Sequence, residues 1–142
     1  MDRDLSSLEV AKLFVERINS QDLDGLAALM TVDHRFIDSL GTKFSGREAM
    51  KEGWRHYFRM VPDYGIEVTD SLCKGEVVVL LGLARGTYTS DGTLDPEMAW
   101  QTPAAWRARI IAGQVAEWRV YADNEPIRKC MTRVTDEKRS DD

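Results

Sequence analysis

At Pro62 the hydrophobic period of the chain changes, and that change limits the possible folds more than any other feature. Before it, apolar residues recur at helical spacing. Ser6-Ser7-Leu8-Glu9 has the S-x-x-E form of a capping box, in which Ser and Glu satisfy free backbone N–H groups of the first turn. Leu8, Ala11, Val15 and Ile18, widened by Phe14, form one apolar stripe, which predicts a helix over 7–19. Asp22 is a good N-cap for a second helix running through Met30. Ser45-Gly46-Arg47-Glu48 repeats the box form. It precedes Met50, Trp54, Tyr57, Phe58 and Val61, one face of a third helix that Pro62 ends.

Beyond Pro62 the pattern is that of strands. "YGIEVTDSL" alternates, Lys74-Gly75 reads as a hairpin turn, and 76–89 is a long β run. "SDGTLDPEM" is a polar connection, after which 100–111 and 114–123 form a second hairpin about "AGQ". From Asn124 the chain reads as irregular, and 135–142 as a solvated, frayed tail, leaving one domain over 1–134. Helices followed by long antiparallel strands predict an α+β fold in which a curved sheet wraps around the helices. A chain of 142 residues buries about 68–70% of its unfolded surface, enough for one core.

Charge narrows the partners. The net charge is −5, and no Lys/Arg stripe interleaves with aromatics, so no nucleic-acid partner is expected. The longest apolar run, 77–81, is far too short to span a bilayer. The N-terminus is acidic and lacks the basic-then-apolar order of a signal peptide. Cys73 and Cys130 occur without a CxxC and read as two reduced thiols, a bridge between them being the alternative. These features predict a cytoplasmic protein. His34 and His56 have no partners at ligand spacing, so no metal site is expected.

One stretch stands out chemically. "HRFIDSLG", residues 34–41, reads as a short strand that ends on a carboxylate before a turn. Asp38 is either the cap of an Asx turn or a group that does chemistry. His34, close by, has an ordinary pKa suited to a second acid or base.

Three motifs occur in a fixed order: "FVERINSQDLDGLAALM", "FIDSLGTKFSGREAM" and "GQVAEWRVYADNEPI". Together they resemble the SnoaL-like branch of the nuclear transport factor 2-like superfamily. The resemblance implies a cone-shaped α+β barrel of cystatin-like topology, open at one end, with a mostly apolar pocket between helices and sheet. It also implies a homodimer joined through the outer sheet face and a small hydrophobic ligand. The superfamily hosts isomerases, cyclases, hydrolases and non-catalytic domains, so the fold alone does not decide.

Residue by residue, the resemblance is partial. Asp38 stands where ketosteroid isomerase has its carboxylate base. The phenol and the protonated acid that enzyme aims at the enolate correspond to Phe14 and the Ala104-Ala105 region, which have no side-chain donor. Against limonene epoxide hydrolase, Asp123 matches one acid and Arg85 the arginine. Thr87 replaces the other acid, Phe36 the tyrosine and Asp38 the asparagine. SnoaL-type polyketide cyclases need one Asp as acid/base in an apolar cavity, and no cofactor or metal. The candidate catalytic set is therefore Asp38, with Asp123, Arg85 and His34 as partners. Phe14, Phe36, Trp54, Tyr57, Phe58, Trp106, Trp118 and Tyr121 are candidate pocket walls. Tyr121 and Asp123 share one face of the last strand and Trp118 and Val120 the other, and parity leaves open which is inside. The alternative is a non-catalytic ligand-binding or interaction domain in which these residues are structural.

Overall fold

Helix α1, Ser7–Asn19, begins at the capping box that the sequence announces. The Ser6 side chain accepts from the Glu9 N–H, and the Glu9 carboxylate accepts from the Ser6 N–H. Its apolar stripe of Val10, Phe14 and Ile18 is fully buried. The computed structural model describes residues 5–140. Helix α2 spans Leu23–Leu29, capped by Asp22, whose carboxylate accepts from the Gly25 N–H. Met30 already belongs to strand β1, Met30–Ile37, rather than to the helix. Strand β2, Lys43–Ser45, falls where only a turn was expected. Ser45 is thereby taken into the sheet, so the second S-x-x-E box does not form. Helix α3, Arg47–Met60, starts instead after Gly46, with no side-chain cap.

The remaining strands are β3, Gly65–Lys74; β4, Val77–Thr87; β5, Ala99–Ile111; and β6, Gln114–Ala122. A 3₁₀ turn, Pro96–Met98, leads into β5. The sheet has six strands in the order β2-β1-β6-β5-β4-β3. The expected antiparallel character holds for every neighbouring pair except β1 and β6, which run parallel. That exception has a topological cause, because β1 and β6 are joined by the whole intervening meander rather than by a hairpin. The sheet does not close, and the α+β cone keeps β2 and β3 as its edges. β5 alternates buried and exposed residues along nearly its whole length, as a sheet with one covered face requires.

Helix α1 lies in the hollow of this sheet. The Phe14 ring packs 4.7 Å from that of Trp118, among buried Val78, Leu80 and Trp106 of the inner face. Burying such side chains contributes about 1.5–3 kcal/mol each. The irregular chain expected after Asn124 is instead helix α4, Glu125–Ser140. Sequence periodicity hid it because its charged face is long, while Ile127, Cys130 and Val134 pack on the core at intervals of three and four. Both cysteines are free, Cys73 exposed and Cys130 buried. No helix among the described residues is long and apolar enough to cross a membrane.

Candidate functional site

A cavity of about 380 Å³ opens between α3, β1 and β6. Helix α3 presents Ala49, Met50, Gly53, Trp54 and Tyr57 to it, positions three and four apart on one face. Phe36 comes from β1, Phe44 from β2 and Val120 from β6. Tyr64 follows the Pro62 turn, and its ring lies at the end of an aromatic wall. Along that wall Phe44 and Phe36 are 6.2 Å apart, Phe36 and Trp54 6.0 Å, and Trp54 and Tyr57 6.2 Å. Tyr57 and Tyr64 close the series at 5.0 Å, nearly perpendicular.

The polar groups are few. Asp38, half-buried at the end of β1, accepts from the backbone N–H of Leu40 and of Thr42 with one carboxylate oxygen, both at 2.9 Å. The carboxylate therefore caps the β1–β2 loop and lines the cavity at once. The two readings of Asp38 are one geometry. Beside it, the Asn124 amide donates to the Ser39 hydroxyl, tying the start of α4 to the same loop. Burial pushes the Tyr57 and Tyr64 phenols well above the usual range. For Tyr64 the neighbouring Tyr57 adds to the rise. The Trp106 indole N–H opposes it without closing a hydrogen bond. Both phenols therefore stay protonated and can donate. The buried Trp54 indole N–H also has no partner among the described residues.

The other expected partners lie elsewhere. Arg85 sits on β4 in an ion pair with Glu67 at 3.3 Å, each side chain 55% exposed. It borders a separate, shallow depression with Asp63, Thr87 and Trp100. Asp123 is exposed and accepts from the Glu125 N–H at the start of α4. Neither Arg85 nor Asp123 is among the residues that line the cavity with Asp38. His34 is fully buried. Its Nδ1–H donates to the Val115 carbonyl at 2.7 Å, and Nε2 has no partner among the described residues. Burial lowers its pKa, against the opposing pull of the Val115 carbonyl, Asp33 and Glu117, so the ring is held neutral inside the core and not in the cavity wall. His56 is exposed on α3.

Of the expected walls, Phe36, Trp54 and Tyr57 line the cavity. Phe14, Phe58, Trp106 and Trp118 are buried packing residues instead, Phe14 against Trp118 at 4.7 Å and Phe58 against Trp54 at 5.5 Å. Tyr121 points out of the sheet, 47% exposed, with the Arg119 guanidinium 4.9 Å over its ring. The inner face of β6 is therefore that of Trp118 and Val120. Tyr64, Phe44, Ser39 and Asn124 were missed. Phe44 and Ser39 lie in a segment that reads as a turn, and Asn124 in one that reads as irregular. Among the described residues no three His, Cys, Asp or Glu side chains come together as a metal site.

Helices packed in the hollow of a six-stranded sheet that does not close make a cone-shaped α+β fold. Residues 11–118 match the SnoaL-like domain family, and the chain belongs to it. Solved structures agree in fold. A protein of Shewanella denitrificans OS-217 assigned as a SnoaL-like polyketide cyclase superposes with a TM-score of 0.77 at 13% identity. The match covers 89% of this chain and 97% of that one. A protein of Jannaschia sp. CCS1 with the same assignment gives 0.76 at 19%, over 91% and 96%. A protein of Catenulispora acidiphila with a ketosteroid isomerase-like fold, bound to trimethylamine, gives 0.70 at 16%, over 82% and 86%. No curated protein matches the chain significantly in sequence.

Proposed function

We propose that this chain binds a small, largely apolar molecule in the α3–β1–β6 cavity and acts on it by cofactor-independent acid–base chemistry through Asp38. The reaction would fall in the isomerase, cyclase or hydrolase class. The observation that carries this reading is the company Asp38 keeps. Its carboxylate shares one apolar cavity with two phenols that burial keeps protonated. A carboxylate can take a proton from carbon, while a neutral phenol O–H can donate to the oxygen on which negative charge then grows. Removing one such donor typically costs about 2.7–4 kcal/mol of transition-state stabilisation. Tyr57 and Tyr64 would thus supply the donors that Phe14 and the Ala104-Ala105 region lack. The fold neighbours assigned as polyketide cyclases support the same class of chemistry.

The test is exchange of carbon-bound hydrogen. A panel of small cyclic ketones is incubated with the protein in D₂O, and deuterium uptake beside the carbonyl is followed by NMR. Uptake faster than buffer, lost in Asp38→Asn and reduced in Tyr57→Phe, supports the reading. Equal uptake with wild type and Asp38→Asn overturns it.

The second reading is binding without turnover. It is favoured by the two turn bonds that engage Asp38 and by the absence of Arg85 and Asp123 from the cavity wall. Ligands that bind while no exchange occurs would select it.

A further inference from the structure

The charge and shape of the cavity wall say more about its occupant, given the reading above that a small molecule binds there. Among the described residues Asp38 is the sole charged side chain in that wall, and no Lys, Arg or His lines it. Among the described residues Asp38 belongs to no ion pair. Its hydrogen bonds there come from two neutral backbone N–H groups, both to one oxygen. The cavity therefore carries one uncompensated negative charge against an apolar lining. An anionic occupant would meet a like charge there, whereas a cation would neutralise it.

The rings add a second, independent preference. Phe36 and Trp54 meet at 79°, Trp54 and Tyr57 at 89°, and Tyr57 and Tyr64 at 88°. Tyr57 stands perpendicular to both Trp54 and Tyr64, which lie 42° apart with 6.4 Å between centroids, so these three rings make a corner in the cavity wall. The face of an aromatic ring is its negative side and attracts a cation within about 6 Å. Aromatic rings and one carboxylate lining the same cavity suit a positively charged nitrogen. The volume, about 380 Å³, admits such a group together with an apolar body.

We propose that the ligand class of this cavity is a cationic amine, either a protonated amine or a quaternary ammonium carried on an apolar body, its charge facing Asp38 and the Trp54–Tyr57–Tyr64 corner.

A matched series tests it. 4-tert-Butylbenzylammonium, 4-tert-butylbenzyl alcohol and 4-tert-butylbenzoate share one apolar body and differ in head charge. Each is titrated into the full chain and followed by tryptophan fluorescence, with two-dimensional NMR to place the site. The ammonium is expected to bind at least tenfold tighter than the alcohol, with the benzoate weakest. Asp38→Asn should erase most of that preference while leaving alcohol affinity within about twofold. The amide keeps an oxygen for the Leu40 and Thr42 N–H groups, so the loop is retained. Phe44→Leu, at the half-open mouth, serves as a second variant and should weaken the ammonium more than the alcohol. If the alcohol or the benzoate binds as tightly as the ammonium, the cationic class is overturned and the binding cavity stands. If none of the three binds, the small-molecule reading itself falls, and this inference with it.

Discussion

Thr87 holds Asp63 by both carboxylate oxygens. The Thr87 N–H donates to Oδ1 at 2.6 Å and its hydroxyl to Oδ2 at 2.7 Å. This clasp fastens the turn after α3 to the end of β4, and the next residue, Tyr64, lies in the cavity wall. Thr87 thus has a structural task. Hydrogen bonds to a charged group are worth about 1.5–3 kcal/mol each in mutational terms. Asp63→Ala should therefore lower stability by about 2–3 kcal/mol in urea unfolding, the two bonds sharing one carboxylate. Thr87→Val, which keeps the backbone donor, should cost about half as much. Equal stability of Asp63→Ala and wild type would show that the clasp is not what holds the turn.

The close pairing of β3 and β4 admits only a glycine at one position. Gly82 of β4 faces the irregular pairing of β3 between Val68 and Asp70, and a Cβ there would come within 1.8 Å of the Glu67 carbonyl oxygen. Backbone is the obstacle, so the neighbour cannot swing away as a side chain would. Gly82→Ala should cost about 3 kcal/mol or more. Gly75 provides the control. It sits at φ +60° in the β3–β4 turn with open space around it, so Gly75→Ala meets only left-handed strain of about 1–2 kcal/mol. Thermal unfolding of the two variants should differ clearly, with Gly82→Ala the lower.

His34 links stability to pH. Burial lowers its folded pKa below the ordinary value of 6.5, so the folded state favours the neutral ring. The unfolded chain takes up the proton first as pH falls. Stability is fully present above about pH 6.5 and declines as pH drops toward the folded pKa, by at most about 1.36 kcal/mol per pH unit from this one group. Carboxylates contribute their own slope, so the comparison is with His34→Gln, which does not titrate. Urea unfolding at pH 7.5 and 5.5 should show a steeper acid loss in wild type than in the variant. Parallel losses would mean that another group sets the acid limit.

We propose that two copies join through the outer face of the sheet. Leu81 and Leu83 are half-buried there although no other element covers that face of β4, and Tyr121 is 47% exposed on β6. Charged residues flank them, among them Arg107, paired with Glu117 at 3.3 Å, and Arg119. An apolar centre with a polar border is the usual anatomy of an interface. Light scattering after size exclusion should give twice the chain mass, and Leu81→Arg should give the single mass with an unchanged circular dichroism spectrum. A wild-type monomer at 100 μM, a concentration of order ~10⁻⁴ M well above typical dimer dissociation constants, would remove the proposal.

How much of this was legible in the sequence differs by element. Helix α1 was readable because its capping box and its stripe agree, and β5 because it alternates almost without fault. The parallel β1–β6 pairing was not, since periodicity describes the faces of a strand and not its neighbours. The second S-x-x-E box failed because Ser45 pairs with Arg35 in the sheet, and sheet pairing overrode a local helix signal. Asp38 was found from its position before a turn. Its separation from Arg85 and Asp123 was not visible, because side-chain direction at strand ends depends on bulges and loop geometry. The bulges at β3–β4, β5–β6 and β1–β6 all lie outside any local pattern. Aromatic residues were the least decidable. Phe14 and Trp118 read as pocket walls as well as Trp54 does, and only the packing of α1 into the hollow separates them.

Asp38 can be split between its two tasks by choosing what replaces it. Its Oδ1 accepts from Leu40 and Thr42, so the loop needs an oxygen there, whereas a base needs the ionised carboxylate. Asparagine keeps the first and removes the second; alanine removes both. Asp38→Asn should leave the melting temperature within a degree or two of wild type and lower deuterium exchange or turnover by about 10²–10⁴-fold, the usual worth of a positioned base. Asp38→Ala should lose the same activity and, in addition, about 1–2 kcal/mol of stability from the two orphaned loop N–H groups. If Asp38→Asn instead loses stability and activity in step, the carboxylate serves the loop and the chemistry lies elsewhere. If Asp38→Ala is destabilised while exchange persists in both variants, Asp38 is a cap only, and the cavity is a binding site.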